Sequence, residues 1–245
     1  MRQAIVLAAG KGDRFKNGTH QSKLLASVGG TPLLLRTLTA VRQAGILDAH
    51  LVLGYDAERV RAWAASHAPD GLHLHFHLNR DWHRENGLSV LTARPGVDHQ
   101  PFALLMGDHL FETRVLRRLL RTPREAGEVL LGIDRQPSDP SIAAEATRVR
   151  LRDGRVIAIG KGLDPYDALD TGLFVCHASV FEALEESCAD GDTTLSGGIE
   201  RLAARGLVRG VDIDRARWCD VDTLADLERA EQLVAGASHA RASHA

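Results

Sequence analysis

The chain has 245 residues, 44% of them hydrophobic and 25% charged, the composition of a soluble folded protein with length for one large α/β domain. A formal net charge of −2 excludes a global basic field for nucleic acid, and no apolar run is long enough to span a bilayer. Three scattered cysteines, Cys176, Cys188 and Cys219, exclude a disulfide framework. They read as reduced thiols of a cytoplasmic protein, and a start with a single Arg2 before the first strand carries no secretory signal.

Strand-length apolar runs alternate with stretches of helical period along the chain. "QAIVLAA" is apolar on both faces, as in a covered parallel sheet. "TPLLLRTLTAVRQAG" reads as a helix with Thr31 as N-cap, Pro32 at the first helical position and Gly45 past the end. "AHLVLGY" is a strand, and "DAERVRAWAASHA" a helix capped by Asp56. "LHLHFHLN" alternates and reads as a half-buried strand. A short helix, "ENGLSVLTARPG", precedes the buried strand "PFALLMGD". The helix "ETRVLRRLLRTP" and the strand "EVLLGID" follow. "ATRVRLRDGRVIAIGKG" is a hairpin turning at Asp153-Gly154. The strand "DTGLFVCH" leads to the helices "ASVFEALEESC" and "TTLSGGIERLAARG", the strand "VRGVDI" and the helix "TLADLERAEQLVAG". The tail has no apolar period, so the reading is one domain over residues 1–236 and a disordered tail over 237–245.

The βαβαβ order of the first half implies a parallel sheet with right-handed crossovers. The fold class is therefore α/β: a Rossmann-like, mostly parallel sheet flanked by helices, with an antiparallel hairpin.

The first loop, "AAGKGDRF", is neither a Walker loop nor a dinucleotide fingerprint, because no Gly-Lys-Ser/Thr closes it and Phe15 replaces a third glycine. Gly10 and Gly12 follow a strand at the edge where open α/β sheets bind ligands, and glycines let backbone N–H groups face a phosphate. Lys11, Arg14 and Lys23 add cations; the plainer alternative is a tight turn with solvated charges. Asp108 ends a strand at the same edge, where a hard carboxylate suits Mg²⁺ on triphosphate oxygens. Asp220 follows another short strand, while Asp222 and Thr223 suit a helix cap. His73, His75 and His77 share one strand face, read as solvated. His109 either orients a metal shell or belongs to the turn.

"LAAGKGDRF", "SKLL" and "VGGTPLL" together resemble the signature of the nucleotidyltransferases that make NDP-sugars and related CDP compounds, LAAGxGxRx followed by PKxLxxxxxxPxL. Ser22 stands where proline is usual, and the intervening "KNGTHQ" is polar. "NGLSVL", "MGDHLFE" and "EATRVRLRDGRVIAIGKGLDPYDALDTGLFV" are similar to the CTP:inositol-1-phosphate cytidylyltransferases, a likeness running from about residue 3 to residue 235. The resemblance implies the nucleotide-diphospho-sugar transferase fold, with CTP against Leu7, Ala8, Ala9, Gly10, Gly12, Arg14, Lys23, Asn86, Ser89 and Asp108. It implies Mg²⁺ on Asp108 and Asp220, and an acceptor pocket of Glu145, Lys161, Asp170 and Thr171. Arg14, Lys23 and Lys161 would act in catalysis. Asn86 and Ser89 have a second reading as helix-capping residues, and Lys161 as an exposed strand-end lysine.

The implied reaction moves CMP from CTP to inositol 1-phosphate, giving CDP-inositol and pyrophosphate. Phosphocholine, aminoethylphosphonate or a sugar 1-phosphate are alternative acceptors, and a non-catalytic nucleotide sensor is the reading of another class. A phosphorylated amine calls for an aromatic box, for which Trp82 and Tyr166 are the candidates. The expected partners are CTP and a phosphorylated small molecule, with a homodimer allowed, no nucleic acid and no membrane insertion.

Overall fold

Strand β1 (Gln3–Ala8) is buried along its whole length and alternates its side chains between two cores. The computed structural model describes residues 2–15, 22–97, 100–137 and 142–242, the side chains of 237–242 excepted. The "KNGTHQ" stretch lies outside the described residues. After the first loop, β2 (Ser27–Val28) and β3 (Thr31–Pro32) form a small hairpin. Gly29 and Gly30 turn it with φ of 55° and 74°, a conformation that favours glycine. Thr31 is spent on that hairpin, so α1 (Leu33–Gln43) starts after Pro32, which takes the N-cap place expected of Thr31. β4 (Asp48–Leu53), α2 (Ala57–His67) and β5 (His73–Leu78) complete the predicted alternation. Asp56 does stand at the N-cap of α2, but with φ of 53° and no side-chain capping bond.

Next come α3 (Gly87–Ala93), β6 (Phe102–Met106) and a short β7 (His109–Phe111) that the sequence pattern does not announce. They are followed by α4 (Thr113–Arg121), β8 (Val129–Asp134) and a one-turn α5 (Ile142–Glu145). β9 (Arg148–Arg152) and β10 (Arg155–Gly160) form the expected hairpin, with φ of 51° at Asp153 and 78° at Gly154. The remainder is β11 (Ala168–Cys176), α6 (Ser179–Ala189), α7 (Leu195–Ala204), β12 (Val208–Asp212), β13 (Trp218–Asp220) and α8 (Leu224–Ala242). The backbone of α8 stays helical to Ala242, beyond the residue 236 where the sequence reading begins a disordered tail.

The central sheet has nine strands in the order β5-β4-β1-β6-β11-β8-β12-β10-β9. β5, β4, β1 and β6 run parallel, and β11 is antiparallel to both β6 and β8. One face is covered by α1, α2 and α4 through Leu34, Leu38, Val60, Leu116 and Leu119. The other is covered by α3, α6 and α7 through Val90, Phe181, Leu184, Ile199 and Leu202. Each such fully buried side chain is worth roughly 1.5–3 kcal/mol against exposure. A third, smaller core of Phe15, Val28, Leu33, Cys219, Val221 and Ala230 fastens α8 beneath the first loop. None of the three cysteines is in a disulfide.

Candidate active site

Two close approaches bring Asp108 to the first loop. The Gly107 N–H donates to the Leu7 carbonyl oxygen at 2.8 Å, and a Cβ at Gly107 would stand 2.9 Å from that oxygen. The chain leaving β6 therefore folds over the end of β1. β7 then pairs antiparallel with β13 in a register that sets His109 opposite Asp220. That two-stranded ribbon carries the convergence of Asp108 with Asp220, which lie far apart in sequence. Ligand atoms of Asp108, His109 and Asp220 all lie within 4.8 Å of one another.

The electrostatics of this corner are strongly coupled. Lys23 is buried, with its Nζ 2.6 Å from Asp108 Oδ2 and 2.5 Å from Asp222 Oδ1. Burial opposes its charge, but Asp108, Asp222 and Asp220 outweigh that and hold its pKa above the ordinary lysine value. Burial likewise opposes the charge of Asp108, and Lys23 and His109 overcome it, holding the carboxyl below its usual range. His109 Nδ1 lies 3.1 Å from the Thr171 carbonyl oxygen, which can only accept, so this nitrogen carries a proton. Its Nε2 lies 3.4 Å from Asp220 Oδ1. Burial pulls the His109 pKa down, but Asp220, Asp108 and Asp170 raise it to about 9. Asp220 Oδ1 is itself buried, and among the described residues it makes only this long contact with His109.

Arg14 reaches Glu145 Oε2 at 2.8 Å and also bonds Asp222 Oδ2. Gly12, with φ of 66°, lies so near Lys23 that a Cβ there would meet Lys23 Cδ at 2.8 Å. Lys11 turns away to Asp13 at 2.7 Å and lies 5.9 Å from the centre of the Tyr55 ring. The side chains of Leu7, Ala8 and Ala9 are buried, so these residues can meet a ligand only through their backbone. Ser22 adopts φ of −55°, close to the value proline imposes, and among the described residues its buried hydroxyl has no hydrogen-bond partner.

A cavity of about 390 Å³ opens beside this corner. Asn86, Asp108, Glu145, Lys161, Asp170 and Asp220 all line it. Lys161 is exposed and makes no ion pair among the described residues. Asp170 sits where the register of β11 against β8 slips, between Asp170 and Phe174. Its Oδ1 accepts the Gly172 N–H at 2.7 Å, and burial raises its pKa to about 6. Gly172 has φ of 73°, and a Cβ there would lie 2.3 Å from His109 Nδ1. The Asp-Thr-Gly sequence thus makes a bulge that turns one carboxylate into the cavity and leaves room for His109, as bulges beside functional sites do.

Several expectations need correction. Thr171 does not line the cavity: it is buried, and its hydroxyl donates to the Gly132 carbonyl oxygen at 2.8 Å. Ser89 is also buried and accepts from Asn79 Nδ2 at 3.0 Å, facing a structural partner instead of a nucleotide. Asn86 does reach the cavity, yet its side chain caps no residue of α3; its Oδ1 accepts the Leu195 N–H at 2.9 Å, at the start of α7. Asp222 is not the cap of α8. Thr223 and Asp226 take that place, Asp226 Oδ2 accepting from Thr223 Oγ1 and N at 2.8 Å each. Trp82 packs on Tyr55 with ring centres 5.5 Å apart, and Tyr166 lies under Arg148, so neither forms an aromatic box in the cavity.

The sequence reading missed the inward role of Asp222, and it missed Arg229 and Trp218, which line the cavity. Asp222 stands two residues after Asp220, the strand period, and that spacing was the available signal. Arg229 follows Asp226 at helical spacing and donates to it at 2.8 Å. Trp218 donates its indole N–H to Asp134, the last residue of β8, at 2.8 Å.

A glycine-containing loop with buried and exposed cations, facing two strand-end carboxylates at the edge of a Rossmann-like sheet, is the layout of a nucleotidyltransferase. Residues 4–204 match the MobA-like NTP transferase domain, and the chain belongs to that family. It is 39% identical over 239 residues to the bifunctional IPC transferase and DIPP synthase of Rubrobacter xylanophilus, covering 95% of this chain and 52% of that protein. The protein of the same name from Archaeoglobus fulgidus is 32% identical over 238 residues, covering 97% of this chain and 45% of its own length. The chain thus spans about half the length of these relatives. The structure of the inositol-1-phosphate CTP transferase from T. maritima superposes with a TM-score of 0.83 at 27% identity, covering 96% of this chain and 95% of that one. Among the described residues, no helix is long and apolar enough to cross a membrane.

Proposed function

We propose that the protein transfers a cytidylyl group from CTP to inositol 1-phosphate, giving CDP-inositol and releasing pyrophosphate. The observation that carries this reading is one cavity, lined also by Lys161 and Asp170, at which Asp108 and Asp220 converge beside Lys23. Support for the acceptor comes from the names of the relatives and from the cavity's chemistry. The lining carboxylates suit a polyol, whereas one indole, that of Trp218, makes no aromatic cage for an ammonium.

In this reading an anionic phosphate oxygen of the acceptor attacks the α-phosphorus in line. The bond from that phosphorus to the bridging oxygen breaks, and pyrophosphate carries away the electron pair. The nucleophile is already ionised near neutral pH, so no general base is needed; positioning and charge neutralisation do the work. Lys161 holds the acceptor phosphate against its repulsion from the nucleotide. Arg14 and Lys23 take the charge that grows on the leaving pyrophosphate. Asp170 accepts from acceptor hydroxyls. Asp108 and Asp220 would suit Mg²⁺ by their oxygen donors, while His109, held at Nδ1 by the Thr171 carbonyl oxygen and with Nε2 3.4 Å from Asp220 Oδ1, orients that carboxylate. Such a cation, when bound, supplies positive charge at the α-phosphate.

Pyrophosphate release over a grid of triphosphates and phosphorylated acceptors tests this. Release with CTP and inositol 1-phosphate is expected, falling by about 10²-fold or more in Asp220→Asn. Turnover with phosphocholine but not with inositol 1-phosphate would reject the acceptor, and no turnover with any pair would favour a nucleotide sensor.

A further inference from the structure

We propose that the outer face of α4 is a docking surface for an anionic lipid membrane, separate from the cavity and independent of the reaction assigned to it. Arg114, Arg117, Arg118, Arg121 and Arg124 crowd into one short stretch of a chain whose net charge is −2. The first four stand at i, i+3, i+4 and i+7, so they share one side of the helix. The opposite side carries Val115, Leu116 and Leu119 into the core, which turns the arginines outward, and all four are exposed. With Thr122 and Pro123 they line a groove of about 510 Å³ to which, among the described residues, no carboxylate contributes.

Internal partners leave most of this charge available. Arg114 donates to Glu112 at 2.8 Å, and Arg118 pairs with Asp214. Such surface pairs are weak and yield to a competing anion. Arg117 donates to the Gln43 carbonyl oxygen at 2.9 Å, which leaves its charge in place. Arg121 and Arg124 have no hydrogen-bond or ion-pair partner among the described residues. A guanidinium binds phosphate with two parallel donors, so a row of them suits a surface of phosphate headgroups. The lining has no aromatic ring for the bases of a single-stranded nucleic acid to stack on, and no large apolar anchor of the kind that centres a protein interface. The large exposed apolar side chains Leu78, Ile157, Tyr166 and Leu224 all lie outside α4, so the contact is electrostatic and inserts no wedge. None of the five arginines lines the cavity beside Asp108, and activity on soluble substrates does not depend on them.

Co-sedimentation of the full chain with vesicles tests this. One set holds equal parts of phosphatidylglycerol and phosphatidylcholine, the other phosphatidylcholine alone. Wild type is expected to sediment with the anionic vesicles only, and to be released when salt is raised to about 0.5 M, which shortens the reach of surface charge. The double variant Arg117→Gln/Arg121→Gln should partition about tenfold or more weakly, in line with the contribution of two basic residues at an anionic surface. Arg121→Glu, which removes a side chain with no partner to lose, should weaken binding in the same direction, and thermal melts report that both variants fold. Equal sedimentation with the two sets overturns the proposal, as does unchanged binding by Arg121→Glu. Tighter binding to polyuridylate than to the anionic vesicles also overturns it and makes this face a nucleic-acid surface. Pyrophosphate release in solution judges cytidylyl transfer separately.

Discussion

Thr171 serves the sheet through one buried hydrogen bond from its hydroxyl to the Gly132 carbonyl oxygen. It lies between Asp170 and Gly172 in the segment that faces the cavity, but the bulge rotates its hydroxyl into the sheet, onto Gly132. Thr171→Val therefore leaves a buried carbonyl oxygen unpaired, at about 1–2 kcal/mol. The expected outcome is a melting temperature lower by a few degrees, with the KM for the acceptor unchanged; a raised KM with unchanged stability would return Thr171 to the pocket. Ser89 departs from expectation for a similar reason. Its position after Asn86 suggests a ligand, but α3 turns the serine inward to Asn79. The residues legible from sequence are those whose chemistry is extreme. Asp108, Asp220 and Lys161 are charged groups at or just past strand ends and Asp170 is a charged group within β11, and all four line the cavity. Small polar residues are not legible, because a hydroxyl serves a backbone carbonyl or a ligand equally well and only the backbone direction decides between them.

At the scale of elements, the bulge in β11 and the β7–β13 ribbon position the site. Gly172 is required twice over, by its φ of 73° and by the absent Cβ that would otherwise stand 2.3 Å from His109 Nδ1. Gly172→Ala should strain the backbone by roughly 1–3 kcal/mol and push His109 off Asp220. A lower melting temperature together with a fall in kcat is the expected result; a variant with both unchanged would show that the bulge does not organise the carboxylates. Long periodic elements such as α1, α4 and β8 are legible in sequence because each satisfies one hydrophobic period over many residues. β7 is not, because three residues with a partner distant in sequence have no period of their own. The α8 cap is displaced within "DVDT", where three of the four side chains are potential caps.

The whole molecule depends on ion pairs away from the cavity as well. Glu128, 2% exposed, receives Arg209 Nε and Nη2 at 2.9 Å each, and its pKa is lowered by those bonds. A carboxylate depressed in the folded state adds stability that is present above its unfolded value of 4.5 and lost as pH falls through the folded value. Glu128→Gln is expected to cost about 2 kcal/mol at neutral pH, less than for a fully buried pair because Arg209 and Arg155 remain partly in water. Melts from pH 7 down to pH 3 should show the gap between variant and wild type closing as the medium becomes acidic; a constant gap would mean that packing, not charge, holds Glu128. The α/β architecture itself is legible in sequence, since the alternation of buried strands and helices admits few layouts. The order of the last strands is not. β11 inserts between β6 and β8 although it comes after both in the chain.

The β7–β13 ribbon also has a temporal consequence. The family match ends at residue 204, yet Asp220, Asp222 and Arg229 lie beyond it. A nascent polypeptide can complete most of the sheet while its catalytic corner still lacks half its acids. On the proposed function, cytidylyl transfer requires the stretch bearing Asp220 to have left the ribosome and zipped onto His109–Phe111, and translation products that stop short of it are expected to be inactive.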